Sequence, residues 1–459
     1  MKTKLITLIL LFNFSLTYAQ TWNTVGGGVD TGLYHMLWAL DSMNGKLYAG
    51  GYFTKAGGMN ANCIASWDGT SWDSLGGGIS WADGYVLALG NYSGKLIVGG
   101  YFNSIGGKPI SHNIASWNGT KWDSLGKGVS VNGEVSAMTV FNGNLIVAGA
   151  FDSAGGHPAK NIAMWNGATW SPLGNGLSLG YYNGITALAV YNGELYATSQ
   201  KIKNPQGSDT VFIVKWNGIT WDSIHAVTVS DNFIAASTMA VYGGQLCIGG
   251  LLYGAIGSNL YAAGVIVWNG STLRPLMEPD NTVFSLCSFD GLLYLGGAFN
   301  DIAQYTDSTN MIASTNGINI DTVGHGLPGN PLQHLFTGVY CMASYNGNLY
   351  AGGGFGASYN NIAEWQLNAT GINNISSFDA DILVYPNPSN GIFQIKSEGL
   401  KDKSFIEVYN MLGAKVYSNY INQTAPEIDL SNSPAGIYLY RVTSLEGRQI
   451  AVGKLVIER

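Results

Sequence analysis

The strings NGKLYAGGYF (44–53), SGKLIVGGYF (93–102), NGNLIVAGAF (142–151) and NGELYATSQK (192–201) decide the fold. Weaker copies follow as GGQLCIGGLL (243–252), DGLLYLGGAF (290–299) and NGNLYAGGGF (346–355). Their small-residue doublets begin at Gly50, Gly99, Ala148, Thr198, Gly249, Gly296 and Gly352. That period of about 50 residues marks one supersecondary unit repeated along the chain. Each repeat holds four strand-like segments; in the second they are YVLALGNY, KLIVGGYF, HNIASWNG and TKWDSLG. Asn-Gly-like pairs join the first segment to the second and the third to the fourth, the latter at Asp68-Gly69, Asn118-Gly119, Asn166-Gly167, Asn217-Gly218, Asn269-Gly270 and Asn316-Gly317. Such pairs supply the positive φ angles of two-residue hairpins. The doublets suit a second strand where backbones approach too closely for side chains.

Four antiparallel strands per repeat make one blade of a β-propeller. The seventh repeat lacks its fourth strand after NIAEWQLN (361–368), but TWNTVGGGV (21–29) parallels SWDSLGGGI (71–79) and KWDSLGKGV (121–129). The expected fold class is therefore all-β: a seven-bladed β-propeller over 21–366, closed by the N-terminal strand, followed by a small immunoglobulin-like β-sandwich. With Gly doublets and recurring Trp residues, the repeats resemble kelch or galactose-oxidase-type propellers, a likeness of pattern that implies architecture only. Trp67, Trp117, Trp165, Trp216, Trp268 and Trp365 recur in the third strand and are expected in the core between blades. Asn113, Asn161 and Asn361, each before Ile-Ala, are expected to hydrogen-bond between blades.

Residues 1–20 read as a secretory signal peptide, ending at residue 19 or 20. Lys2 and Lys4 precede an apolar run (Leu5–Phe14) too short to cross a bilayer, and small residues follow. With 11% charged residues against 64 Gly and 26 Tyr, the composition suits short strands and tight turns. A net charge of −7 argues against a nucleic-acid partner. Cys63, Cys247, Cys287 and Cys341 are scattered singly, without zinc or redox spacing; disulfides and buried free thiols both remain open.

The repeat gives way to a polar linker at 367–381, and alternating strands of a β-sandwich follow over 382–459. YPNPSNG (385–391), EVYNMLGAKVY (407–417), LSNSPAGIYLYRV (430–442) and GKLVIER (453–459) occur there in that order. These strings closely resemble the type A sorting domain of type IX secretion in Bacteroidetes, with Tyr385, Pro386, Asn387, Pro388, Gly391, Gly413, Gly436, Tyr438 and Lys454 as its motif positions. The resemblance implies passage through the periplasm, recognition by the outer-membrane translocon, and removal of the domain by sortase-like processing machinery. It further implies release of the passenger or its attachment to surface lipopolysaccharide. Asp-Ser/Thr-apolar triplets such as Asp73-Ser74-Leu75, Asp123-Ser124-Leu125 and Asp152-Ser153-Ala154 resemble Bacteroidetes O-glycosylation acceptors, although repeat consensus explains several equally well.

No familiar catalytic constellation emerges. A sialidase clamps its substrate with three arginines, whereas 21–366 holds only Arg274, and the spacing in ASWDGTSW is wrong for an Asp box. His35, His112, His157, His225, His325 and His334 are dispersed, which does not suit a copper site. Neither a catalytic residue, a metal nor a cofactor is expected. Of the four glutamates in 21–366, Glu134, Glu194, Glu278 and Glu364, none forms an evident pair, and Glu194 is expected to be solvated in a hairpin turn. The longer connections share one face, and they concentrate the candidate ligand-binding residues Tyr34, His35, Trp81, Tyr85, Tyr181, Tyr182, Phe233, His334 and Phe336. Aromatic side chains stack on sugars and anchor protein contacts. The leading expectation is a secreted or cell-surface binding propeller for a glycan or protein ligand. A polysaccharide hydrolase or lyase working in the propeller funnel, and a structural surface-layer protein, are the alternatives.

Overall fold

The computed structural model describes residues 21–458 except 31–34, 80–83, 111, 178–183, 200–201, 204–208, 230–234, 257–258, 303–307, 329–336, 356–358, 367–380, 399–403, 411–414, 422–426 and 445–448. The signal-peptide reading lies outside the described residues. Every regular element among them is a strand, and the chain divides into two compact units, Met1–Asn368 and Ala369–Arg459.

In the first unit, strands succeed one another in antiparallel sheets, consistent with a propeller. The second sheet is representative: Gly84–Tyr92, Lys95–Phe102, Ile114–Trp117 and Trp122–Ser124 pair in chain order. Equivalent sheets begin with Met36–Met43, Glu134–Phe141, Ile185–Tyr191, Ala235–Tyr242, Val283–Phe289 and Gly338–Tyr345. The sheet beginning with Ile185–Tyr191 carries an extra short strand, Ile202–Lys203. Only the last sheet takes a strand from elsewhere: Trp22–Thr24 pairs antiparallel with Ile362–Trp365, with Trp22 opposite Trp365. The first strands of successive sheets touch in order, and the first strand of the last sheet touches that of the first.

Each recurring residue type has a mechanical reason. At the turn between first and second strands both residues take positive φ, 50° at Asn44 and 71° at Gly45. The third-to-fourth turn works differently: of Asp68 and Gly69 only the glycine has positive φ. There Asp68 Oδ1 accepts the amides of Thr70 and Ser71, both at 2.8 Å, an Asx turn. The two glycines of a doublet also do different jobs. A Cβ on Gly99 would lie 2.4 Å from Val135 Cγ1 of the next sheet, and one on Gly100 would lie 2.1 Å from Tyr85 O of its own.

That second contact exists because every first strand is bulged. Register slips at one unpaired residue, which is Trp38, Leu87, Ser136, Thr186, Ser237, Phe284 and Tyr340 in the seven sheets. A bulge bends the strand and re-aims its side chain.

Tryptophans bind one sheet to the next. Trp72 Nε1 donates to Val25 O (3.2 Å), Trp122 to Leu75 O (2.8 Å), Trp170 to Leu125 O (2.7 Å) and Trp221 to Leu173 O (3.4 Å). Trp22 completes the series, donating to Val323 O at 2.9 Å. The third-strand tryptophans Trp67, Trp117, Trp165 and Trp365 are buried, while Trp216 and Trp268 are half-buried. Side-chain amides of Asn113, Asn161 and Asn361 donate to Ser130 O, Leu177 O and His35 O, in or beyond the connections that follow each sheet. All four cysteines are free thiols, and burial pushes Cys63 up to about 12 and Cys247 to about 11.

The second unit has two antiparallel sheets around one core. Asp381–Tyr385, Ile392–Glu398 and Glu427–Asp429 form one; Lys415–Ile421, Ser404–Asn410, Gly436–Ser444 and Gln449–Ile457 form the other. Val384, Phe393, Ile395, Ile406, Val408, Val442 and Leu455 fill the space between them.

The doublet argument predicts that Gly100→Ala destabilises the first unit by about 1–3 kcal/mol, the usual cost of overpacking. Trp fluorescence in a denaturant titration reports this unit alone, because all 13 tryptophans lie within it. An unchanged midpoint would contradict the assigned contact.

Candidate functional site

Bulge residues sit near the starts of the first strands, at the end carrying the longer connections. Apart from the aliphatic Leu87, they fall into two chemically different groups, hydroxyl-bearing (Ser136, Thr186, Ser237) and aromatic (Trp38, Phe284, Tyr340). Ser136 Oγ donates to Ile185 O of the next sheet at 2.6 Å, and Thr186 Oγ1 donates to Ala236 O of the one after at 2.5 Å. In each case the accepting carbonyl belongs to the residue just before the bulge of that sheet, so a hydroxyl ties one bulge to the next. Trp38, Phe284 and Tyr340 place aromatic rings at the same position.

These rings form two contacts across adjacent sheets. Phe284 stacks on Tyr340, with centroids 4.6 Å apart and planes at 20°. Trp38 meets Tyr85 edge-on at 5.5 Å, and Tyr85 lies 5.8 Å from Tyr101. Tyr85 also donates its hydroxyl to Glu134 Oε2 of the third sheet at 3.2 Å. Burial, and then the Glu134 charge, push the Tyr85 phenol up to about 12, so it remains a donor at neutral pH. Burial alone does the same at Tyr340. Tyr101 is 36% exposed and presents its ring to solvent.

The candidate residues read from sequence divide accordingly. Tyr85 belongs to this cluster. His35 comes shortly before Trp38 in the chain, but its Nδ1 pairs with Asp30 Oδ2 at 2.9 Å and its ring meets Tyr52 edge-on. Asp30 in turn accepts from Thr54 N and Oγ1, so this pair fastens a connection. Tyr34, Trp81, Tyr181, Tyr182, Phe233, His334 and Phe336 lie outside the described residues; in the chain they come shortly before the bulged first strands. Trp38, Tyr101, Glu134, Phe284 and Tyr340 are additions that a search of the connections overlooked, because they lie within strands.

Two other glutamates of this unit, Glu194 and Glu364, are engaged. Glu194 opens a strand, with Lys215 Nζ on Oε1 and Tyr196 OH on Oε2, both at 2.9 Å. The Lys215 bond holds its pKa below the usual range. It is thus ion-paired where the sequence reading expected simple solvation. Glu364 accepts from Asn348 and Tyr350. At the opposite, hairpin end, a shallow recess of about 320 Å³ is lined by turn residues such as Asn44, Lys46 and Asn346. Its phenol, Tyr345, already donates to Gly45 O.

In the second unit, the motif strings are held by hydrogen bonds between side chains and backbone and between backbone groups. Asn387 Nδ2 donates to Lys454 O (2.6 Å), and Val456 N donates to Asn387 Oδ1 (2.8 Å). Leu430 N donates to Gly391 O, and Tyr438 OH to Pro434 O. Tyr385, Pro386, Pro388 and Lys454 are exposed around this seam, while Gly436 is a positive-φ position. Gly413 lies outside the described residues. On the four-stranded sheet, Glu407 takes Arg441 at 2.6 Å and Lys415 at 3.1 Å.

Residues 383–458 match the secretion system C-terminal sorting domain. The chain therefore carries a type IX secretion sorting domain and is exported, either to the cell surface or into the medium. A stretch of 93 residues, 20% of the chain, is 28% identical to Ulvan lyase NLR42 of Nonlabens ulvanivorans, and the match spans 17% of that protein's length. Similar solved structures include PorZ, a surface component of the type-IX secretion system of Porphyromonas gingivalis, with TM-score 0.44 and 16% identity over 92% of this chain and 59% of that one. A copper-bound fungal alcohol oxidase of the AA5 family gives 0.43 and 12% over 96% and 100%.

Arg441 and Lys415 hold Glu407 down to about 2, from an ordinary value of 4.5. A depressed folded pKa contributes stability above the unfolded value, and that contribution is lost as pH falls through the folded one. The second unit should therefore weaken between pH 4.5 and about 2, and Glu407→Gln should flatten that slope. Hydrogen exchange of peptides spanning 404–442 measures it; identical acid profiles would contradict the assignment.

Proposed function

We propose that this protein is an exported binding protein whose sheets are the blades of a seven-bladed β-propeller over 21–366, completed by the N-terminal strand. A signal peptide (1–19 or 1–20) directs it across the inner membrane. A linker (367–381) joins the propeller to an immunoglobulin-like sandwich (382–459), which the translocon reads and processing machinery removes. Cyclic contact of the first strands and the pairing of Trp22–Thr24 with Ile362–Trp365 support the ring.

The ligand, a glycan or a protein, is held at the long-connection end. One observation carries this reading: the inner strands are aromatic on one side, at Trp38, Tyr85, Phe284 and Tyr340, with Tyr101 on the adjoining second strand, while Ser136 and Thr186 show that a small hydroxyl suffices structurally at the bulge position of Trp38, Phe284 and Tyr340. Tyr34, Trp81, Tyr181, Tyr182, Phe233, His334 and Phe336, which shortly precede the first strands in the chain, are proposed as further ligand contacts on the strength of the sequence alone.

Screening the full chain on glycan and surface-protein arrays tests the reading. Trp38→Ala or Tyr101→Ala should weaken the captured ligand by about 2 kcal/mol or more, as for an interface anchor, with the denaturation midpoint of Trp38→Ala recorded as a folding control. Binding that is indifferent to both substitutions would reject this site.

A further inference from the structure

We infer that the aromatic arc takes a neutral polysaccharide and that Glu134 discriminates against anionic chains. This rests on the reading of the protein as a binding propeller and assigns that site its ligand class.

The charge distribution of the inner strands carries the argument. The seven first strands contain no Lys, Arg or His; their charged residues are Asp41 and Glu134 alone. Asp41 is near the hairpin end of its strand and is largely occupied with its own surroundings, since burial raises its pKa and Ser42 N donates to it. Glu134 is at the bulged end, half-buried, with the Tyr85 hydroxyl on Oε2. A uronate or sulfate laid against Tyr85 and Tyr101 would face that carboxylate with no inner-strand cation to offset it. Part of that repulsion survives screening by salt, because Glu134 is half-buried.

A neutral sugar meets the opposite situation. An ionised carboxylate is acceptor-only, and sugar hydroxyls are donors, so the bond they form is charge-assisted. The apolar face of the ring can lie on Tyr101, whose exposure leaves it available, with Trp38 and Tyr85 standing behind it. Both halves of the amphipathic sugar find a complement within one patch built from three successive sheets. The arrangement also bears on cationic chains: a single partly engaged carboxylate beside tilted rings differs from a closed aromatic cage, so an amino polysaccharide is made the competing outcome of the test.

Calorimetric titration of the full chain with a neutral β-glucan, a uronate-rich polysaccharide and a chitosan, at low and at high salt, decides it. The wild type should bind the neutral chain at least about tenfold more tightly than the uronate chain, and the preference should narrow at high salt. Glu134→Gln should weaken the neutral chain, which loses its charge-assisted bond, yet gain the uronate chain about tenfold, so that the preference collapses, whereas Trp38→Ala loses the neutral chain. Preference for the uronate chain, or for chitosan, in the wild type would overturn the inferred class while leaving a binding site at the arc. Failure of all three chains to bind, with a protein captured on the arrays instead, would also overturn it without touching the broader reading. Silence on every array would remove both.

Discussion

The rest of the first unit depends on one pairing, that of Trp22–Thr24 with Ile362–Trp365. Sheets that stack face to face leave an exposed edge and an uncovered face at each end of the series. Here the last sheet obtains its fourth strand from a segment more than 300 residues away, and Trp22 donates to Val323 O just as Trp72 and Trp122 donate to Val25 O and Leu75 O. Bringing two such distant segments together costs roughly 5 kcal/mol in chain entropy on the logarithmic scale. That is offset by what the contact buries: Trp22 packs with Tyr294, Leu349 and Trp365 in one core cluster.

Closure also explains why the inner strands can carry a site. With both neighbours in place, each first strand is held from two sides, by the second strand of its own sheet with its small-residue doublet and by the first strand of the next. Gly99 and Gly100 illustrate the division, one accommodating Val135 of the adjacent sheet and the other the Tyr85 carbonyl, just before the bulge at Leu87. A bulge fixed in this way presents its side chain in a set direction, so Trp38 and Tyr340 occupy defined positions without needing loop contacts to hold them. Rigid elements of this kind are better platforms for recognition than loops alone.

Much of the architecture was legible in residue order. Asn44-Gly45 announces a hairpin by its demand for two positive φ angles, and the likeness of TWNTVGGGV to SWDSLGGGI identifies the missing strand. The sorting domain was equally readable, because strings as far apart as Asn387 and Lys454 must be present together to make their hydrogen bonds. The site was less so. A bulge is a property of how two strands pair, and nothing in the letters around Trp38 or Phe284 distinguishes a bulged residue from its neighbours. Tyr85 was found because it follows a connection; Glu134 went unnoticed as its partner because the contact crosses between sheets. At Glu194 the unread feature lay within one sheet, since Lys215 reaches it from the paired neighbouring strand.

Cross-linking tests the closure most directly. Asn23 and Glu364 are antiparallel partners, and the Cα atoms of such partners lie about 4.5–5.5 Å apart, within disulfide range. The doubly substituted chain, Asn23→Cys with Glu364→Cys, should form an intramolecular disulfide on mild oxidation, seen as one linked peptide pair by mass spectrometry with the denaturation midpoint maintained or raised. Absence of that peptide pair, or links formed only between separate chains, would contradict a ring closed by its N-terminal strand.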